Sequence, residues 1–311
     1  ASIGQVHAAQ LKNGERLAIK VQYPGVRQSI ASDVDNVATL LRLSGLLPRT
    51  LDFAPLLEEA KRQLHDEADY LKEAAHLESY RGRLAAEGAF ALPAVHAELT
   101  TPDILAITFM DGVPIESLAG APQAERDRVL GLLFELLFRE IFEFRCVQTD
   151  PNFANYRYDE GSGRLVLLDF GATRHFSESC IAAYRRLLQA GQVGDLDALS
   201  AAAIDIGYFQ VDIDPAHKRQ VLDIFLTACE PLRYEGPYDF GGSTLATRIR
   251  DVGLRLGRDR SFWHTPPADA LFLHRKIGGL YLLAARLKAR VDIRAIFLRC
   301  LAAVPEGAAG G

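Results

Sequence analysis

The sequence predicts an α+β chain in two lobes: a small N-terminal lobe of β-hairpins and helices, and a larger, mostly helical C-terminal lobe. Three observations carry this. In "VHAAQLKNGERLAIKVQ" strand-like stretches flank Asn13-Gly14, a tight-turn dipeptide, and Leu17, Ile19 and Val21 alternate with Ala18, Lys20 and Gln22. From Glu125 onward apolar residues recur at helical spacing instead, with Val129, Leu132, Leu133, Leu136, Leu137, Ile141 and Phe144 on one face. Between them, residues 113 to 124 carry Pro114, Gly120 and Pro122 and read as a crossing segment. The lobes are expected at 1–111 and 112–305, with "EGAAGG" at 306–311 a disordered tail.

The elements follow in order. Tyr23-Pro24-Gly25 ends the second strand, and Ser32 or Asp33 is a candidate cap for a helix through "SDVDNVATLLRLSGLL". "APLLEEAKRQLHDEADYLKEAAHLESYRGRL" reads as one long charged helix with an apolar stripe at Leu56, Leu57, Ala60, Leu64, Ala68, Leu71 and Ala75. "FALPAVHAELTTPDILAITFMDGVPI" reads as two short strands with turns. After the helix that begins near Glu125 come the polar stretch "QTDPNFAN", a short strand at Tyr156 to Tyr158, a turn at Gly161 to Gly163, and "RLVLLDF", an apolar run ending in Asp169. Residues 177 to 304 read as helices joined by polar turns.

Composition narrows the function. With 311 residues, 49% hydrophobic and 24% charged, the chain can bury a substantial core. A net charge of −5 argues against a nucleic-acid-binding protein, which usually carries a basic excess. Cys146, Cys180, Cys229 and Cys300 form no C-x-x-C pair, so neither a zinc site nor a disulfide framework is expected, and a reducing compartment fits. No apolar run reaches the ~18 residues of a spanning helix, and no signal peptide opens the chain. "KIGGLYLLAARLKARV" joins an apolar face to Lys276, Arg286, Lys288 and Arg290; such a helix packs inside a large lobe or, less commonly, lies on a lipid surface. Trp263, His264 and His274 have no ligand spacing around them and read as structural.

The chemistry concentrates in a few residues. "TDPNFAN" by itself is a turn, since Asp-Pro and Asn favour turns. Asp150 and Asn155 nevertheless form D-x-x-x-x-N, and Asp169-Phe170-Gly171 follows them, which is the ordered pattern of protein kinases. A lysine in mid-strand, Lys20, guards a sheet edge or serves as a cation for phosphate. A glutamate on the following helix, Glu67 or Glu73, is available to hold it. Phosphoryl transfer needs a positioned cation, a clamp on the phosphates and an oriented acceptor. A hard cation such as Mg²⁺ takes oxygen ligands, and one carboxylate with one amide oxygen suffices when phosphates supply more. The set therefore points to a metal-nucleotide site. Two features depart from ordinary protein kinases. The G-x-G-x-x-G loop is replaced by "ASIGQVHAA", and no A-P-E element follows Asp169.

Together "ASIGQVH", "AIKVQYPGV", "EADYLKEAA", "QTDPNFANY", "LLDFGATR" and "LHRKIGG" resemble the UbiB/AarF family of atypical kinase-like proteins, the coenzyme Q-associated group, over essentially the whole chain. The resemblance implies a bilobal protein-kinase-like fold with an alanine-rich nucleotide loop at Ala1 and Ser2, ATP or ADP with Mg²⁺ as cofactors, and weak ATPase activity. It implies a role in ubiquinone biosynthesis through lipid intermediates or partner proteins. It assigns Lys20 to the phosphates, Glu67 to the lysine, Ile107, Thr108, Phe109 and Met110 to the adenine hinge, Asp150 to the catalytic position, and Asn155 and Asp169 to the metal. The opening residues look like the interior of a domain, so a preceding part, carrying the family's Lys-x-Gly-Gln element, is expected. The rival readings are a nucleotide-driven scaffold without turnover and a small-molecule phosphotransferase. Localisation is expected to be cytoplasmic with membrane association in a bacterium, or the mitochondrial matrix in a eukaryote.

Overall fold

Alternation and turn chemistry produce the strands that the pattern predicts. The computed structural model describes residues 3–43, 54–209, 213–249, 251 and 267–304; Ala1, Ser2, Trp263, His264 and the 306–311 tail lie outside them. The chain divides into two compact units, one formed by Ala1–Ile115 with Asn152–Thr173, the other by Glu116–Pro151 with Arg174–Gly311.

In the first unit β1 (Gly4–Gln10) and β2 (Arg16–Gln22) form an antiparallel hairpin, and β4 (Ile104–Thr108) pairs with the far side of β2. Gly14, at φ +91°, supplies the left-handed residue of the turn. The sheet order β1-β2-β4 makes β2 the central strand. Lys20 stands between Val6 and Leu105 in the register, so it guards no sheet edge. A second sheet orders β3 (Phe90–Ala91), β8 (Arg164–Leu167), β7 (Tyr156–Asp159) and β5 (Val113–Pro114). Asp159 shapes its β7–β8 turn by accepting from the amides of Gly161 and Ser162.

Helix α1 spans Val26–Leu43. The stretch expected as one long helix is two, α2 (Ala54–Glu67) and α3 (Tyr70–Leu84). Asp69 is the reason. It leaves helical geometry at φ −108°, ψ 91° and accepts from the amides of Leu71 and Lys72, capping a new helix. Tyr70 and Leu105 are buried together with Ala74 beneath the first sheet.

The second unit is built on α4 (Gln123–Arg139), whose Val129, Leu130, Leu133, Phe134, Leu137 and Phe138 are all buried. A π-helical turn, Glu140–Phe144, follows, and Arg145 in the left-handed region (φ +50°) turns the chain into β6 (Cys146–Gln148). Around it lie α5 (Glu178–Val193), α6 (Leu196–Ile206), α7 (Pro215–Ala228), α9 (Ala268–Arg286) and α10 (Ile293–Ala303), with the short α8 (Glu230–Arg233). Ser177, Asp195 and Asp214 cap α5, α6 and α7. The reading of α9 as a packed helix holds, because Leu273, Leu280, Leu283 and even Lys276 are buried. His274 serves the core, stacked on Tyr208 and bonded to its hydroxyl.

Candidate functional site

The break between α2 and α3 sets the site of the first unit. With a new helix starting at Tyr70, Glu73 falls in its first turn and reaches the central strand. The Lys20 ammonium donates to both Glu73 oxygens, at 2.9 and 3.1 Å, and lies 3.3 Å from Oδ2 of Asp169. The Tyr70 ring lies 5.0 Å from the same nitrogen. Glu73 is buried at 3% exposure, whereas Asp169 keeps 34% of its side chain exposed.

Glu67 is therefore not the partner of Lys20. At the end of α2 it accepts from Nε2 of Gln63 at 2.8 Å, and Glu73 takes the place expected for it. The physical reason is the helix break: the two glutamates belong to different helices, and only α3 carries one to β2.

Electrostatics follows from burial and from one cation facing two carboxylates. Burial opposes charging Lys20, but Glu73 and then Asp169 outweigh it and raise the ammonium well above the ordinary lysine value. Burial, reinforced by the charge of Asp169, pushes the Glu73 carboxyl up to about 7, against the pull of Lys20. Burial likewise pushes the Tyr70 phenol up to about 12. The cluster holds more negative than positive formal charge when both acids are ionised, and its more exposed member is Asp169.

The D-F-G segment is anchored at its middle residue. Phe170 is 1% exposed and packs on Tyr80 at 4.7 Å between ring centroids. Asp169 accepts from the Gly171 amide at 3.0 Å. Glycine fits at 171 because a Cβ would stand 3.3 Å from Oε2 of Glu73. Asn155 immediately precedes β7, and its carbonyl accepts from Leu168, the residue before Asp169, at 3.1 Å. Since Tyr156 pairs with Leu167, Asn155 and Asp169 emerge from the same end of one hairpin. Among the described residues no group of three or more His, Cys, Asp and Glu is arranged to hold a metal ion. A partly exposed carboxylate and an amide borne at the same end of one hairpin are nevertheless a donor set that fits Mg²⁺ completed by phosphate oxygens.

Ile107 and Thr108 end β4, and Phe109 and Met110 follow it; all four are partly buried. The Phe109 amide donates to the Arg16 carbonyl, and the Arg16 guanidinium lies 4.0 Å from the Phe109 ring centroid.

Asp150 belongs to the second unit. Its Oδ1 accepts from Nη2 of Arg275 at 3.2 Å. Two residues earlier, Gln148 accepts from the buried Lys276 ammonium at 2.9 Å. The sequence pattern singles out neither contact, although Lys276 stands in a stretch read as a packed helix. The available signal was an Arg-Lys pair inside an apolar helical stretch. Among the described residues no helix is long and apolar enough to cross a membrane.

Residues 1–203 match the family model of the ABC1 atypical kinase-like domain. The chain is 38% identical over 297 residues to the mitochondrial atypical kinase COQ8B of Rattus norvegicus, covering 96% of this chain and 56% of that protein. It is 37% identical over 300 residues to the mitochondrial atypical kinase COQ8 of Saccharomyces cerevisiae, covering 96% and 59%. It thus spans little more than half the length of either. A solved complex of Rv3197 with erythromycin, from Mycobacterium tuberculosis, matches with a TM-score of 0.68 at 22% identity, covering 95% of this chain and 74% of that one. That likeness speaks to the fold, which is kinase-like with mixed helices and sheets.

Proposed function

This chain belongs to the family of ABC1 atypical kinase-like proteins, and we propose that it is a Mg²⁺-dependent ATPase or kinase that supports ubiquinone biosynthesis, acting on or with lipid intermediates. The observation that carries the reading is the Lys20 ammonium held between Glu73 and Asp169. A lysine raised in pKa by two carboxylates stays charged at all physiological pH, as a phosphate clamp must.

When bound, Mg-ATP supplies the transferable phosphoryl group and a divalent charge. Each side chain then has a task. Glu73 fixes the stem and direction of Lys20, so that its Nζ meets the phosphates as a point charge. Asp169 and Asn155 offer hard oxygen ligands from one end of a hairpin. Asp150 accepts the proton of the attacking hydroxyl or water on its carboxylate. Ile107 to Met110, at the end of β4, would line the adenine. The mitochondrial relatives support a mitochondrial location for a eukaryotic source.

The test is phosphate release from Mg-ATP by the wild type and by Asp150→Asn. The reading expects turnover in the first and at least a hundredfold loss in the second, as for removal of a group acting in the transition state. Tight nucleotide binding with no phosphate release above buffer would instead establish a nucleotide-driven switch.

A further inference from the structure

Helix α9 meets the segment bearing Asp150 at three positions. Arg275 donates to Asp150, Lys276 donates to Gln148, and Gly279 faces Pro151 so closely that a Cβ would stand 2.2 Å from the proline's own Cβ. Arg275 and Gly279 are four apart and share a face, with Lys276 beside them. These three contacts reach three of the four residues from Gln148 to Pro151.

The strength of the hold differs from contact to contact. Arg275 is half exposed, and a single ion pair of that kind contributes little. Lys276 is 3% exposed, and Gln148 is 5% exposed. Gln148 is fixed from a second direction, because its backbone N–H donates to Oε1 of Glu140 at 3.1 Å. Glu140 is itself buried, at 1% exposure, in the π-helical turn. Packing alone does not account for an ammonium at position 276, since an apolar side chain of like volume fills space without desolvating a charge. One group that the charge bonds is a side-chain amide oxygen two residues from the reactive carboxylate. The same helix also takes hold of the chain after D-F-G. Arg174 donates to Asp269 at 2.8 and 3.2 Å and lies 4.4 Å from the Phe272 ring centroid.

We propose that Lys276, together with Arg275 and Gly279, positions Asp150 for catalysis, making α9 the element that sets the direction of its carboxylate. The proposal rests on the role given to Asp150 above. Lys276 anchors the loop through Gln148, Gly279 lets the helix close on Pro151, and Arg275 orients the carboxylate itself. None of the three acts on nucleotide, so their loss should appear in turnover and not in nucleotide binding.

The experiment measures kcat and KM for Mg-ATP, and the rise in melting temperature on adding Mg-ATP. It compares wild type, Lys276→Met, Gly279→Ala, Arg275→Ala and Arg275→Lys. A misplacement of about 1 Å can cost about a hundredfold in rate. The expected result is a kcat loss of about ten- to a hundredfold in Lys276→Met and Gly279→Ala, with KM and the melting shift unchanged. Arg275→Ala should lose less, and Arg275→Lys should recover most of that loss. Wild-type kcat in a folded Lys276→Met, or a loss appearing in KM or in the melting shift, overturns the proposal. If Lys276→Met does not fold, Gly279→Ala and Arg275→Ala are read by the same criterion. Absence of turnover in the wild type sinks the functional reading, and this one falls with it. Turnover in the wild type with undiminished variants sinks this one alone.

Discussion

Lys20 on the central strand and Glu73 in the first turn of α3 form an ion pair in which the ammonium meets both carboxylate oxygens, at 2.9 and 3.1 Å. Everything proposed for the first unit builds outward from that pair, because it determines where the lysine points. The more exposed Asp169 completes the cluster.

Removing one member of a buried pair leaves an uncompensated charge, which typically destabilises by about 3–5 kcal/mol. Since Lys20 retains Asp169 beside it, Glu73→Ala is expected at the lower end, about 3 kcal/mol. Glu67→Ala, lying away from the lysine, is expected to change stability by less than ~1 kcal/mol. Denaturant titration of the two variants checks this. Equal losses would mean that Glu73 has no special hold on Lys20.

The Glu73 carboxyl, at about 7 in the folded chain against an ordinary 4.5, also has a pH signature. An acid whose pKa is raised by folding binds more protons in the native state, so its contribution to stability falls as pH rises from about 4.5 to 7. Asp169→Asn removes the charge that reinforces burial. The Glu73 midpoint, followed by carboxyl carbon chemical shift, should then move down from the wild-type value. An unmoved midpoint would contradict the coupling of the two acids.

In the second unit burial lowers the pKa of His274 from 6.5 to about 4. Here the unfolded chain binds more protons, so stability is full above 6.5 and is lost as pH falls toward 4. The slope reaches about 1.4 kcal/mol per pH unit. His274→Gln should flatten the drop in melting temperature between pH 6.5 and 4.5. The same drop in both proteins would show that other groups govern acid stability.

Much of this was legible in the sequence, for identifiable reasons. Asn13-Gly14 and the alternation after it fix the first hairpin through local chemistry. Asp150, Asn155 and Asp169 stood out because a rare ordered pattern joins them. The choice between Glu67 and Glu73 depended on where α2 stops. Apolar spacing runs on through residue 68, so the stripe hid the stop; the cap at Asp69 reveals it, and an aspartate within a charged helical stretch is easily read as solvated. The burial of Lys276 was not legible, because periodicity does not distinguish a lysine at the surface from one bonded inward to a residue distant in the chain. Lys20 in mid-strand left an edge and a central position equally open, and only the pairing of β2 with β4 decides between them.

The central claim is that the Lys20, Glu73 and Asp169 cluster, with Asn155, receives a nucleotide and its metal. The most direct test is a crystal structure with Mn²⁺ in place of Mg²⁺ and a non-hydrolysable ATP analogue, using the anomalous signal to locate the ion. A peak is expected about 2.1 Å from side-chain oxygens of Asp169 and Asn155, with Lys20 still held by Glu73 and its Nζ turned from Asp169 to a phosphate oxygen. A nucleotide bound elsewhere, or an ion that neither Asp169 nor Asn155 touches, would contradict it.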